Sequence, residues 1–233
     1  MCRICRRPPP RTPPQAAFTH INLDRDTSLR LNLLPMRETR FDFLPSAPDA
    51  RSMQVLARRK DLAGVWPAQS VVLANNRIVL LPGRWELMLT PPPGFYVSGF
   101  SSPLSEPRAY THPEGWNEIT LGSFNIVQFT LTAGPGSLHG AVKSFGDAVI
   151  GAPVHLEAYD AATRQRVTDL RTTRTDLHGG YRFDGLPPGT YRVLSTFEYQ
   201  APDLAAMDQA GARPVQIETK SDLQLDLDLY TIR

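Results

Sequence analysis

The stretch that decides the fold runs from residue 173 to 193: Thr173-Arg-Thr-Asp176-Leu-His-Gly179-Gly180-Tyr181-Arg-Phe183-Asp-Gly-Leu186-Pro187-Pro188-Gly189-Thr-Tyr191-Arg-Val193. It reads as two strands and two turns. Asp176 is a turn residue whose carboxylate accepts backbone N–H bonds in its own loop. Gly179 and Gly180 permit the positive φ that a hairpin asks for. Tyr181 and Phe183 alternate with Arg182, so the rings face a core and the arginine faces water. Leu186 plugs the sandwich end, and Pro187-Pro188-Gly189 turns the chain. Tyr191 and Val193 then resume the core face. Every position has a folding role, so the string is read as a hairpin signature and not as an active site.

The same period of two extends outward in both directions. Leu29, Leu31 and Leu33 alternate with Arg30 and Asn32; Phe41 and Phe43 flank Asp42; Val127, Phe129 and Leu131 alternate with Gln128 and Thr130. Leu223, Leu225, Leu227 and Leu229 alternate with Gln224, Asp226 and Asp228. One face of each strand belongs to a core and the other to water. The 22 prolines, about twice the usual share, argue against long helices and for short strands joined by shaped turns. Helical leanings are confined to Ala201–Ala212, which its own Gly and Pro keep short.

The pattern also repeats. His20-Ile-Asn-Leu23 followed by Ser28–Leu33 is answered by Glu118-Ile-Thr-Leu121 followed by Ile126–Leu131, with Ile21 and Ile119, or Leu33 and Leu131, 98 residues apart. Val215-Gln-Ile217 followed by Leu223–Leu229 is a third copy. Leu81-Pro-Gly-Arg-Trp85-Glu-Leu87 likewise answers Leu186–Val193. A period near 100 residues fits one seven-strand sandwich. The expected fold is therefore all-β: tandem immunoglobulin-like or prealbumin-like antiparallel β-sandwiches. Residues 1–17 form a Pro/Arg-rich disordered arm, 18–35 the terminal strands of a preceding module absent from the chain, 36–134 a divergent sandwich and 136–233 a second one. On this reading the chain is a piece of a longer repeat protein or carries a misplaced start.

The second sandwich resembles the carboxypeptidase regulatory-like domain, the prealbumin-like or transthyretin-like sandwich that is also grouped with carbohydrate-binding-like folds and adhesin B-repeats. The resemblance is carried by Leu138-His-Gly-Ala-Val142, Gly151-Ala-Pro-Val-His-Leu-Glu157-Ala158 and the 173–193 string. It implies a non-catalytic, extracytoplasmic module (periplasmic, outer-membrane or secreted) acting as a structural spacer or interaction domain. Two alternatives stay open. One is a carbohydrate- or protein-binding module, with polysaccharide or other envelope proteins as partners. The other is the accessory domain of a peptidase whose catalytic part lies elsewhere. Adhesin B-type repeats also carry Lys–Asp or Lys–Asn isopeptide bonds, for which Lys143, Asp226 and Asp228 are the candidates and Glu157 the assisting acid. Against this, alternation puts Asp226 and Asp228 on the polar face, whereas the bond needs them buried.

Other chemistry finds little support. Formal net charge is +2, which points to neither nucleic acid nor a membrane surface. No apolar run is long enough to cross a membrane as a helix. The basic N-terminus is followed by Pro8, Pro9, Pro10, Pro13 and Pro14 where a secretory signal needs an apolar region. Cys2 and Cys5 form a lone C-x-x-C with no second ligand pair, so no metal or other cofactor is expected. His139 and His155 fall on early strands of the second sandwich and could face each other across a sheet, although solvent-facing positions explain both. His155 and Glu157 share one strand face and read as a surface pair. No nucleophile elbow, phosphate loop or dinucleotide fingerprint is present, and the chain is expected not to be an enzyme. Among the tryptophans Trp85 belongs to the core, while Trp116, in the loop Thr111–Asn117, is the surface candidate for stacking on a sugar.

Overall fold

The computed structural model describes residues 15–16, 28, 30, 32–45, 53–60, 69–71, 76–102, 112–121 and 125–232. Cys2, Cys5, His20 and Trp66 lie outside them, as do 18–27. At the start, Gln15–Ala16 (β1) pairs with Leu34–Pro35 (β2) in a short antiparallel ladder. Gln15 and Ala16 thus form a strand within the stretch that the sequence assigns to the arm.

The first sandwich holds β3 (Arg37–Leu44), β4 (Gln54–Arg59), β5 (Gln69–Val71), β6 (Arg77–Leu80), β7 (Gly83–Thr90), β8 (Phe95–Ser101), β9 (Asn117–Leu121) and β10 (Asn125–Ala133). They build two sheets, ordered β6-β3-β10-β8 and β5-β4-β7-β9. Alternation becomes burial: Phe41 and Phe43 point inward from β3 while Arg40 and Asp42 pair on the outside at 2.8 Å. Phe129, fully buried, is the centre of the core. Phe41 stacks on it at 6.3 Å between ring centroids, Phe43 at 6.4 Å, and Phe100 meets it edge-on at 5.1 Å. Such aromatic pairs add about 0.5–1.5 kcal/mol each beyond the area they bury. Trp85 packs against this core with its indole N–H donated to the Leu81 carbonyl at 2.9 Å.

The second sandwich holds β11 (Gly136–Ser144), β12 (Asp147–Ala148), β13 (Pro153–Asp160), β14 (Gln165–Arg166), β15 (Arg171–Arg174), β16 (Gly180–Leu186), β17 (Gly189–Ser195), the helix α1 (Leu204–Gln209), β18 (Arg213–Ile217), β19 (Asp222–Gln224) and β20 (Leu227–Asp228). One sheet runs β12-β11-β16, with β19 and β20 also on β11. The other runs β14-β13-β17-β18, with β15 on β13. Leu138, Val142, Leu156, Leu186 and Ile217 fill the core, all at most 1% exposed.

The antiparallel rule has an exception, and it is the same in both sandwiches. The first strand of each pairs in parallel with the last: β3 with β10 over Thr39–Leu44 and Asn125–Thr130, β11 with β19 and then β20. The leucine-rich terminal strand expected over 223–229 is also divided in two. Between β19 and β20 the Leu225 backbone presses onto Gly140 of β11. A Cβ at Gly140 would lie 1.8 Å from the Leu225 carbonyl oxygen. That oxygen accepts a hydrogen bond from the Tyr181 hydroxyl at 2.7 Å, and the Leu225 N–H donates to His139 O at 2.8 Å. The glycine of the Leu138–Val142 motif is there because a backbone crosses it.

Residues 196–212 lie over the outer face of the β13–β17 sheet. Helix α1 begins at Asp203, whose carboxylate accepts from Ala206 N at 2.8 Å, and Met207 is fully buried. This covering corrects the surface reading of His155 and Glu157: both are fully buried. Glu157 accepts from Arg166 at 2.8 Å and Arg192 at 2.6 Å. Arg192 also pairs with Asp208 of α1 and lies 4.0 Å from the centre of the Tyr159 ring. Arg166 Nη2 donates to Pro202 O at 2.7 Å.

His155 stands beside this cluster with Nδ1 3.1 Å from Thr172 Oγ1. Its Nε2 has no hydrogen bond of ordinary geometry, although the Tyr199 backbone lies near enough to favour a proton there. Burial outweighs that and pulls the imidazole pKa below its usual 6.5, with Arg166 and Arg174 adding to the shift. The native fold therefore prefers neutral His155. Its contribution to stability is full above the unfolded pKa and is lost as pH falls from about 6.5 through the lowered folded value. Thermal melts should show a midpoint that drops by a few degrees between pH 7 and pH 5, and His155→Gln should flatten that slope.

Candidate functional site at the junction of the sandwiches

Only Gly134 and Pro135 separate β10 from β11, and both halves of the molecule hold them. Gly134 N–H donates to Gly94 O of the first sandwich at 2.9 Å, and Gly134 C=O accepts from Lys220 N of the second at 2.9 Å. Gly134 sits at φ +85°, and a Cβ there would meet the Lys220 side chain at 2.5 Å. The positive φ asks for glycine, and the bare Cα lets the Lys220 side chain lie over it. Pro135 fixes its own φ and so removes another degree of freedom.

A second strut is the loop before β9. Its Trp116 Nε1 donates to Asp169 Oδ1 at 3.3 Å, across the junction. His112 Nε2 lies 3.5 Å from Asp160 Oδ2, also across it. A Cβ on Gly115 would fall 2.6 Å from Val167 O, so the loop fits closely against the second sandwich. Asn117, 1% exposed, stiffens the loop from within by donating Nδ2 to both Pro113 O and Gly115 O at 2.9 Å. The Arg58 guanidinium lies 4.0 Å over the Trp116 ring. Trp116, expected as an open sugar platform, is thus stacked on one face and tied by its N–H: it is a junction residue.

Beside the struts is a cleft of about 480 Å³, walled by Pro91, Pro92, Pro93 and Phe95 from the first sandwich and by Arg171 and Tyr191 from the second. Tyr191 donates its hydroxyl to Pro187 O at 2.8 Å; burial pushes its pKa well up, and the Glu114 charge adds to this. Among the described residues no three His, Cys, Asp or Glu side chains are placed to hold a metal, and no helix is long and apolar enough to cross a membrane.

The residues singled out by sequence fall into two groups. Those of the hairpin signature behave as folding residues. Asp176 Oδ1 accepts from His178 N and Gly180 N, both at 2.8 Å, and these bonds hold its carboxyl below the usual range. Tyr181, Phe183, Leu186, Tyr191 and Val193 are buried. The glycines differ from expectation in detail. Gly179 is left-handed at φ +76°, whereas Gly180 leaves room for the Asp176 carboxylate, from which a Cβ there would lie only 3.0 Å. The left-handed residue near Pro187-Pro188 is Gly185, at φ +68°; Gly189 already belongs to β17.

The second group is only partly assembled. Lys143 Nζ and Asp226 Oδ2 are 2.8 Å apart, and Asp228 is the register partner of Lys143. Lys143 and Asp226 are 45% and 43% exposed and shift each other toward the charged forms. Condensation needs a neutral amine and a protonated carboxyl away from water, the reverse of an exposed ion pair. Glu157 is not beside them: it lies in the other sheet, neutralised by Arg166 and Arg192. His139 and His155 do not meet either, since His139 contacts Asp222 at 3.1 Å and His155 contacts Thr172.

No family model matches the chain, and no curated protein matches it. The resemblance to carboxypeptidase regulatory-like domains therefore rests on the motif residues alone. Solved structures do align. The Bacillus anthracis TIE protein is 11% identical with a TM-score of 0.32, the alignment covering 84% of this chain and 34% of that one. A minor pilin of Streptococcus agalactiae is 13% identical, TM-score 0.32, covering 84% and 97%. A carbohydrate-binding protein of Pseudomonas aeruginosa, so described provisionally, is 21% identical, TM-score 0.27, covering 41% and 88%. This chain spans about a third of the TIE protein. At TM-scores below 0.5 these likenesses carry neither topology nor role to this chain.

Sequence reasoning places the boundary between 134 and 136 but not the contacts that fix it. Its one available signal was the shortness of the break between the strand at 127–131 and the motif at 138–142, with Gly134-Pro135 inside it. The partners Gly94, Lys220, Asp169 and Val167 are remote in sequence and carried no mark.

Proposed function

We propose that this chain is a non-catalytic, extracytoplasmic spacer that holds two β-sandwiches end to end at a fixed angle. One observation supports the reading above others: the two-residue linker is hydrogen-bonded to both sandwiches, by Gly134 N–H on one side and Gly134 C=O on the other. A linker that served only to tether would leave its backbone to water. The Trp116–Asp169 and His112–Asp160 contacts add a second point of attachment, and two points fix an angle where one allows a swivel. The envelope location follows the resemblance of the second sandwich.

The test is a distance distribution. Spin labels at Thr120→Cys and Gln224→Cys, in a chain lacking Cys2 and Cys5, should give one narrow peak. Three glycines inserted between Ala133 and Gly134 should broaden it severalfold. A native distribution as broad as that of the insertion variant would end the spacer reading. A second reading, a carbohydrate-binding module, is favoured by the cleft, whose about 480 Å³ falls within the span of small-ligand sites. Retention on a polysaccharide column that is lost on Phe95→Ala would support it.

A further inference from the structure

The trailing pole of the second sandwich is the end away from the junction, where β11 finishes and the last strand leaves. Several loops are tied together there. Val142 N donates to Gly179 O, Gly151 N to Thr175 O, and Thr175 Oγ1 to Val149 O. Thr196 N donates to Pro153 O and Tyr230 N to Ser195 O, which brings the loop after β17 and residues 230–232 to the same end. Five of the nine large apolar side chains exposed among the described residues stand at this pole. They are Phe145 at 102%, Leu177 at 77%, Ile150 at 58%, and Phe197 and Ile232 at 56% each. Water is a costly place for so many at one end of a domain.

Phe145 makes the point sharply. Phe145-Gly146 is the two-residue loop between β11 and β12, and both residues have positive φ, +52° and +95°. Asn-Gly is the preferred pair for such a turn, and a bulky side chain at positive φ is an outlier. Phe145 therefore satisfies neither its backbone nor a core. An outlier of this kind is reason to look for a role outside the monomer.

The first sandwich shows what covers this pole. Its trailing end is occupied by the second sandwich, through Gly94, Pro135 and the loop 112–116. By the internal repeat, Pro91–Gly94 after β7 corresponds to the loop after β17 that carries Phe197. The leading end of the first sandwich presents Leu33 and Leu34, 60% and 49% exposed, with Arg30 and Arg37 close by in the chain. The trailing pole carries the loop acids Asp147, Asp176 and Glu198, with Lys143 and Arg174 at the same end, so what the two poles share is exposed apolar surface.

We propose that the trailing pole docks the leading pole of a second copy of this chain, head to tail, repeating the polarity of the internal junction. Such a heterologous contact joins opposite ends of successive copies, and repeated without closure it builds a linear array. The inference rests on the spacer reading. Its test is separate, because stiffness is read within one chain and docking between chains.

Sedimentation velocity under reducing conditions, from about 5 to about 500 μM, covers the range of a small, weak interface. The weight-average coefficient should rise with concentration for the native chain. It should stay at the monomer value for Phe145→Asn, for Leu177→Ser, and for Leu33→Ser combined with Leu34→Ser. A mixture of the trailing-pole and leading-pole variants should form a dimer and go no further, since one intact contact remains between them. Phe145→Asn should also raise the thermal midpoint by about 2–4 °C as the turn is relieved, so lost association cannot be lost folding. A coefficient independent of concentration overturns the proposal. So does a leading-pole variant that associates like the native chain, a mixture that stays monomeric, or a Phe145→Asn chain that still associates.

Discussion

Gly140→Ala should cost about 4 kcal/mol or more, a loss reserved for a few mechanisms, of which backbone collision is one. The added Cβ would stand 1.8 Å from Leu225 O and 2.5 Å from the Leu225 carbonyl carbon. No flexible side chain is available to yield, since the obstacle is main chain. The last strand must move away, and the Tyr181 hydroxyl and His139 carbonyl then lose their partners at Leu225. Both are groups whose burial without a partner is itself expensive. Denaturant unfolding followed at the second sandwich is the measurement. An alanine variant within about 1 kcal/mol of the native chain would mean that the strand does not cross Gly140.

Glu157→Ala should destabilise the second sandwich by about 3–5 kcal/mol, the range found when one member of a buried ion pair is removed. Arg192 is only 7% exposed and would keep its charge with Asp208, an exposed acid, as the remaining partner. Arg166 would lose its carboxylate as well. The effect belongs to the stranded cation more than to the pair. Replacing Glu157 and Arg192 together by leucine should therefore recover part of the loss, with Arg166 left on Pro202 O. A double variant no better than Glu157→Ala would assign the cost to packing under helix α1 instead.

These two sites also measure what a sequence can disclose. Gly140 stands within a recognisable motif, and the alternation around it sets the strand correctly. What lies above it could not be read, because Leu225 is 85 positions away and looks like any other leucine of an alternating run. The sequence places Glu157 and His155 on the right strand and on one shared face. It reads that face as surface, since a two-residue period reports which side a residue is on and not what covers that side. The cover is residues 196–212, the irregular stretch with least pattern. Phe41, Phe129, Tyr181 and Leu186 were legible because local alternation and burial agree at those positions. The place of the junction was legible at 134–136 but its fixing was not, because a lone Gly-Pro pair acquires that meaning only from Gly94 and Lys220 on either side.

The parallel pairing of first and last strands has a mechanical consequence. Tension between the two ends of the molecule enters each sandwich through β3 or β11 and leaves through β10 or β20. Because those strands lie side by side and run the same way, the pull is directed along the ladder. Its rungs are then loaded together in shear instead of peeling apart singly. In the first sandwich that ladder is six register pairs long without a break. In the second it is split into runs of three and two, with the gap at Gly140.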